Sequence, residues 1–230
     1  LERAASLESA SYYTHYRHAL LSLILTEAPK YRDAYAAMEK KFCDTRDPMA
    51  ANFVAWTCAL APNAVDDYAS ALASAARAVE AQPDSDQFLN TLGAILYRAG
   101  RHDEAVVRLT ELDQRRKTEE GAVQSSPAYT WYFLAMAHQK AGNAEHAREC
   151  LGKANRSTDE ALADEENPPA WNGRATLDLL RKEAEALLSA PAVAPEPWVL
   201  HSRRARRLTA EENWIEAVSA FSQAVELRPN

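Results

Sequence analysis

The chain has little of what staples, anchors or catalyses. Its 230 residues include three cysteines, six glycines and five phenylalanines. Cys43, Cys58 and Cys150 are odd in number, far apart and never in a CxxC pair. That pattern fits reduced thiols in a cytoplasm better than a disulfide framework or a zinc site. The longest strongly apolar run, Ala19 to Leu25, is far too short for the ~20 residues that cross a bilayer. No signal peptide is visible, so no membrane role is expected. There is no GxxxxGK[ST] phosphate loop, no HRD or DFG, no GxSxG and no HExxH, so neither an enzyme nor a cofactor is expected. A formal net charge of -7 argues against a general nucleic-acid binder. The chain opens at Leu1 without a methionine and closes just after a helix-like run, which reads as a piece of something longer.

What is present is alanine and helical periodicity. In "LNTLGAILYRAGRHDEAVVRL", Leu89, Leu92, Ile95 and Leu96 share helical spacing. A turn follows at Ala99-Gly100-Arg101, and a second helix carries Ala105, Leu109 and Leu112 on one face. Gly93 lies inside the first helix, at a propensity cost of about 1 kcal/mol relative to alanine. In an antiparallel hairpin Gly93 falls opposite Ala105, and close approach of the two backbones would offset that cost.

The same arrangement recurs in "YTWYFLAMAHQKAGNAEHARECLGKA". Trp131, Leu134 and Ala135 stand for Leu89, Leu92 and Gly93; Gly142, Ala147 and Leu151 stand for Gly100, Ala105 and Leu109. A weaker copy begins at Asn52, with Ala55, Cys58, Ala59, Ala71, Ala75, Ala78 and Pro83. Another closes the chain, with Ala205, Leu208, Ala217, Phe221, Ala224 and Pro229. A period of ~34 residues with small residues at the contact positions resembles the tetratricopeptide repeat, or TPR. The resemblance implies an all-α fold, a right-handed superhelix (α-solenoid) of helical hairpins, in which first helices line a concave groove.

The expected organisation has four parts. Residues 1–51 form a degenerate hairpin from Ser11–Thr26 and Tyr31–Phe42, with Leu20, Leu23 and Ile24 as its stripe. Residues 52–161 form the array, with a loop insertion at 120–127. Residues 162–197 are irregular, holding one amphipathic helix (Leu177, Leu180, Ala184, Leu187) and the linker "SAPAVAPEP". Residues 198–230 form a last, semi-detached unit.

Off the packing stripe, the expected groove positions are Phe53 and Trp56, then Gln87, Asn90, Ala94, Tyr97 and Arg98, then Tyr129, Tyr132, Met136, Gln139 and Lys140. Aromatics give contact area at low entropic cost, and arginine is favoured at hot spots. Asn90 could hold a peptide backbone, and Arg98 or Lys140 a carboxylate. Trp56 and Leu60 stand where a carboxylate clamp would want polar groups, which favours a peptide with apolar anchors. The expected function is therefore non-catalytic binding of a peptide or partner domain in the groove.

Other candidates have plainer readings. His15 and His18, at i, i+3, read as polar residues beside Tyr12 and Tyr16 on a helix surface, without a third metal ligand. In "RHDEA", His102 or Asp103 is expected to cap a helix. "DEALADEEN" reads as a solvated helix face, and Cys58 and Cys150 as buried thiols. Arg203, Arg206 and Arg207, in "HSRRARR", form a possible patch for an acidic partner. From Tyr31 onward the order of segments is similar to the helical tails of planctomycete-type bacterial signalling proteins, which often follow a serine/threonine kinase domain. That resemblance implies, as an alternative, a regulatory tail acting in cis on its own head domain or by self-association.

Overall fold

The computed structural model describes residues 11–118, 126–189, 201, 205 and 213–227. Every regular element among them is a helix. The chain divides into two compact units, Leu1–Ser189 and Ala190–Asn230.

In the first unit the helices are α1 (Tyr12–Ile24), α2 (Ala28–Phe42), α3 (Pro48–Ala59), α4 (Ala69–Ala81), α5 (Asp86–Arg98), α6 (His102–Thr118), α7 (Pro127–Lys140), α8 (Ala144–Ala163) and α9 (Trp171–Ser189). Local chemistry starts them. Ser11 caps α1, its hydroxyl accepting from the Thr14 N–H at 3.3 Å, and the Asp47 carboxylate caps α3 through the Met49 N–H at 2.9 Å. Pro48 and Pro127 occupy the first turns of α3 and α7, where a missing N–H costs nothing.

Three hairpins close with one device. After α5, Gly100 adopts φ 74°, its N–H donates to Tyr97 O at 3.0 Å, and the Arg101 N–H donates to Leu96 O at 3.0 Å. Gly142 repeats this after α7 at φ 78°, with Asn143 N–H to His138 O at 2.8 Å. These are Schellman turns, which need a left-handed residue. After α1 the same bonds form around Thr26 at φ 58°, with Glu27 N–H to Ser22 O at 2.9 Å. A β-branched residue there is strained.

Gly93 is a close-approach residue, but its partner is not Ala105. A Cβ on Gly93 would stand 2.3 Å from Leu109 Cδ2 and 2.4 Å from Leu109 Cγ. The leucine of the second helix thus seats directly on the glycine of the first. The expected cap also moves: α6 begins at His102 itself, with Asp103 and Glu104 in its first turn complementing the helix dipole.

Packing follows a repeat logic. Each of α1, α3, α5 and α7 packs on its hairpin mate, and each of α2, α4 and α6 also packs on the next first helix. First helices touch in sequence: α1 with α3, α3 with α5, α5 with α7. Helix α9 continues the series, packing on α7 and α8, and it also packs on α1. Five inner helices therefore close a ring. The α1–α2 hairpin, helices α3 to α8 and helix α9 fall in one compact unit.

Aromatic side chains fill the interior of the ring. Trp56 lies 5.6 Å from Tyr129 and 6.2 Å from Phe133 between ring centroids, Tyr97 lies 5.9 Å from Phe133, and Tyr16 lies 5.1 Å from Phe53. His15 and Tyr16 are buried, against the surface placement expected of them; α2 covers His15 through an edge contact with Phe42 at 5.9 Å. Ile24, expected in the stripe of α1, is exposed, whereas Leu20 is buried.

The second unit, described by itself, contains α10 (Trp214–Leu227). Ala217 and Ala220 pack with Ala205. Trp214, Ile215, Val218, Phe221 and Val225 are exposed.

Candidate functional site

Two cavities open at opposite ends of the inner helices. The first, about 260 Å³, is lined by Phe53 and Trp56 of α3, Gln87, Asn90 and Thr91 of α5, Ser126, Tyr129 of α7, Tyr16 of α1 and Asn172 of α9. It lies at the N-terminal ends of α5, α7 and α9. Among the described residues no charged side chain lines it; its walls are aromatic rings, amides and hydroxyls. The second, about 350 Å³, includes Tyr68, Tyr97, Arg98, His102, Lys140, Glu183 and Leu187 at the opposite ends.

Five of the groove residues expected from sequence thus meet in the first cavity: Phe53, Trp56, Gln87, Asn90 and Tyr129. Three meet in the second: Tyr97, Arg98 and Lys140. The remaining four line neither cavity. Ala94, Tyr132 and Met136 are fully buried, and Gln139 is half-buried. The inner side is not an open groove, because α9 closes the ring of inner helices between α7 and α1. The Tyr132 hydroxyl lies 2.9 Å from the Thr158 hydroxyl, donates to Asn155 Oδ1 at 3.0 Å and receives Arg181 Nε of α9 at 3.1 Å.

Arg98 shows the same covering. Its side chain is 2% exposed. It donates from Nε to Ala59 O at 2.8 Å, and from both terminal nitrogens to the Glu183 carboxylate of α9, one of them at 2.7 Å. Its guanidinium lies over the Tyr97 and Phe133 rings, 5.3 and 5.5 Å from their centroids. Burial alone would lower its pKa, but the Glu183 carboxylate reverses this and raises it. Burial pushes the Tyr97 hydroxyl up to about 12, with Glu183 adding to the effect.

Asn90 is committed on its carbonyl side. The Thr130 hydroxyl donates to Asn90 Oδ1 at 2.8 Å and itself receives Arg116 Nη1 at 2.9 Å. Arg116 Nε then donates to Asp86 Oδ2 at 2.7 Å, and Arg115 Nη2 to Asp86 Oδ1 at 2.5 Å. Burial would raise the Asp86 pKa, but these two arginines together hold it below the usual range. The network clamps α5, α6 and α7 and fixes the wall of the first cavity.

Sequence reasoning passed over Tyr16, Thr91, Ser126 and Asn172. Tyr16 and Asn172 sit on helices outside the clear repeats, and their only sequence signal is a polar group on an otherwise apolar helical face. Arg203, Arg206 and Arg207 lie outside the described residues. Cys58 is buried as expected, whereas Cys150 is half-buried; burial pushes the Cys58 thiol up to about 12 and the Cys150 thiol up to about 11. Among the described residues, no group of three or more His, Cys, Asp or Glu is placed to hold a metal. No helix among them is long and apolar enough to cross a membrane.

The geometry defines a class: an all-α array of stacked helical hairpins. Within it, residues 128–158, spanning α7 and most of α8, match the family model of the tetratricopeptide repeat. The chain is also similar to the crystal structure of a tetratricopeptide repeat protein from Parabacteroides merdae, at 14% identity over 95% of this chain and 94% of that one, with a TM-score of 0.30. Comparison with curated proteins gives no match. Arrays of this repeat serve in general as protein-interaction scaffolds.

Proposed function

We propose that this chain is a non-catalytic module that docks a peptide segment of a partner protein at the mouth formed by Phe53, Trp56, Gln87, Asn90 and Tyr129. The supporting observation is the composition of that cavity: aromatic walls, amides at the rim and, among the described residues, no charge. Aromatic walls accept an apolar or aromatic anchor residue, and Gln87 and Asn172 can pair with the flanking peptide backbone. Its volume of about 260 Å³ suits one or two side chains rather than a folded domain.

The test is selection from a random peptide display library on the full chain, with Gln87→Arg run in parallel. The variant places a long cation in the cavity without cutting an aromatic contact. An enriched sequence built around an aromatic or large apolar residue, bound at least about tenfold more weakly by Gln87→Arg, supports docking there. No enriched sequence, or binding indifferent to the substitution, overturns it.

A second reading, self-association of a regulatory tail, is favoured by one observation. In α10, Trp214, Val218, Phe221 and Val225 are spaced 4, 3 and 4 apart, and all are exposed. That spacing is the seam of a helix pair.

A further inference from the structure

We infer that α9 occupies the inner face of the stack as a ligand held in cis, and that the same face takes a partner's amphipathic helix carrying Leu-x-x-Leu-x-x-Glu in its place. The inference rests on the docking reading above and extends it from the mouth to the face beneath α9.

Four observations support it. The seat of α9 combines an apolar stripe with a charge. Leu177, Leu180 and Ala184 are buried at i, i+3 and i+7, and Glu183 binds the buried Arg98 with two bonds. Arg98 belongs to the stack and not to α9, so it sits as a buried cation that any occupant must neutralise with a carboxylate. The contacts of the first three residues of α9 are light: the Tyr129 hydroxyl to Gly173 O at 3.4 Å, Asn172 Nδ2 to the Tyr16 hydroxyl at 3.5 Å, and Arg17 over the Trp171 ring at 5.2 Å. Finally, the segment entering α9, from Asp164 to Ala170, is mostly exposed and contains Pro168 and Pro169, so α9 can leave without unravelling α8.

The chemistry of the partner follows from the seat. Two leucines three residues apart fill the positions of Leu177 and Leu180. A glutamate three residues beyond the second meets Arg98. An arginine two residues before that glutamate can reproduce Arg181, whose Nη2 donates to Asn155 O at 2.8 Å and to Asp159 Oδ1 at 2.7 Å. A tethered helix competes at a high effective concentration, so the partner binds weakly until α9 loosens.

The probe is a labelled synthetic peptide of residues 171–189, added to the full chain. The wild-type chain is expected to bind it weakly. A chain with Glu183→Ala in its own α9 is expected to bind the wild-type peptide at least about tenfold more tightly, because Arg98 then lacks its carboxylate. A peptide carrying Glu183→Arg should lose that gain, and should prefer a chain with Arg98→Glu. Equal binding by wild-type and Glu183→Ala chains, or indifference to the charge of the peptide, overturns the inference. Hydrogen exchange on the wild-type chain provides a check that needs no variant. Exchange of α9 amides faster than those of α5 and α7 supports separate opening; exchange of all three as one unit contradicts it. If the display-selected peptides bind and the 171–189 peptide does not, the mouth reading stands and this inference fails; the reverse outcome removes the mouth and leaves the α9 seat.

Discussion

Helices α9 and α10 bury stripes of identical spacing and opposite character. In α9 the buried apolar positions are Leu177, Leu180 and Ala184; in α10 they are Ala217, Ala220 and Ala224. Both follow i, i+3, i+7, the period of a helix with one covered side. In α9 the large residues are inside. In α10 the small residues are inside and the large ones are in solvent, with Ile215 88% and Val225 75% exposed. Hydrophobicity alone therefore does not select the buried side. Alanine permits close approach to a neighbouring helix, as Gly93 does for Leu109, and that approach fixes which face turns inward. Two readings of one period lead to different roles: α9 completes a body, while α10 presents a surface.

The largest expected break in this comparison is at the charge. Glu183→Ala leaves Arg98 buried without its carboxylate and should cost about 3 kcal/mol, read by urea unfolding of the full chain. Leu180→Ala opens a cavity under α9 and should cost about 2–3 kcal/mol in the same measurement. Val218→Ser, the counterpart on α10, should change stability by less than about 0.5 kcal/mol and should reduce any self-association seen by sedimentation. A cost for Val218→Ser equal to that for Leu180→Ala would erase the distinction.

Two smaller effects sharpen the account within the first unit. Thr26→Gly removes left-handed strain from the α1–α2 turn and should stabilise by about 1 kcal/mol, against a loss for the same change at an ordinary helical threonine. His15 is held below its ordinary pKa by burial first, then by Lys41 and His18. The unfolded chain then binds the proton more readily than the folded one. The contribution of His15 is complete above the unfolded value of about 6.5 and is lost as pH falls from there toward the lower folded value. Thermal unfolding between pH 7 and pH 5 should show this fall, and His15→Met should flatten it.

Much of the stack is legible in the sequence. Gly100 and Gly142 are spaced with the stripes on either side, and each closes a hairpin where the period places it. The matched repeat at 128–158 lies on one of these hairpins. Among the expected groove residues, Phe53, Trp56, Gln87, Asn90 and Tyr129 meet in one cavity and Tyr97, Arg98 and Lys140 in another, because 3.6-residue periodicity fixes faces locally. What the sequence does not carry is closure. Whether α9 contacts α1 depends on the curvature accumulated over four hairpins, a sum of many small packing angles. For the same reason Tyr132 and Met136 read as groove residues although they are buried, and His15 and Tyr16 read as surface. Arg181 of α9 reaches Tyr132, Phe53 of α3 packs on Tyr16, and Phe42 of the hairpin mate covers His15; periodicity reports which face a residue takes but not what lies against it.

The central claim is that α9 sits on the inner face through Arg98. A double-mutant cycle on the full chain tests it most directly, with Arg98→Met, Glu183→Gln and the pair, each measured by equilibrium unfolding. A coupling of about 2 kcal/mol is expected for a desolvated two-bond ion pair. Single effects that simply add, to within about 0.3–0.5 kcal/mol, would place α9 away from Arg98 and contradict the account.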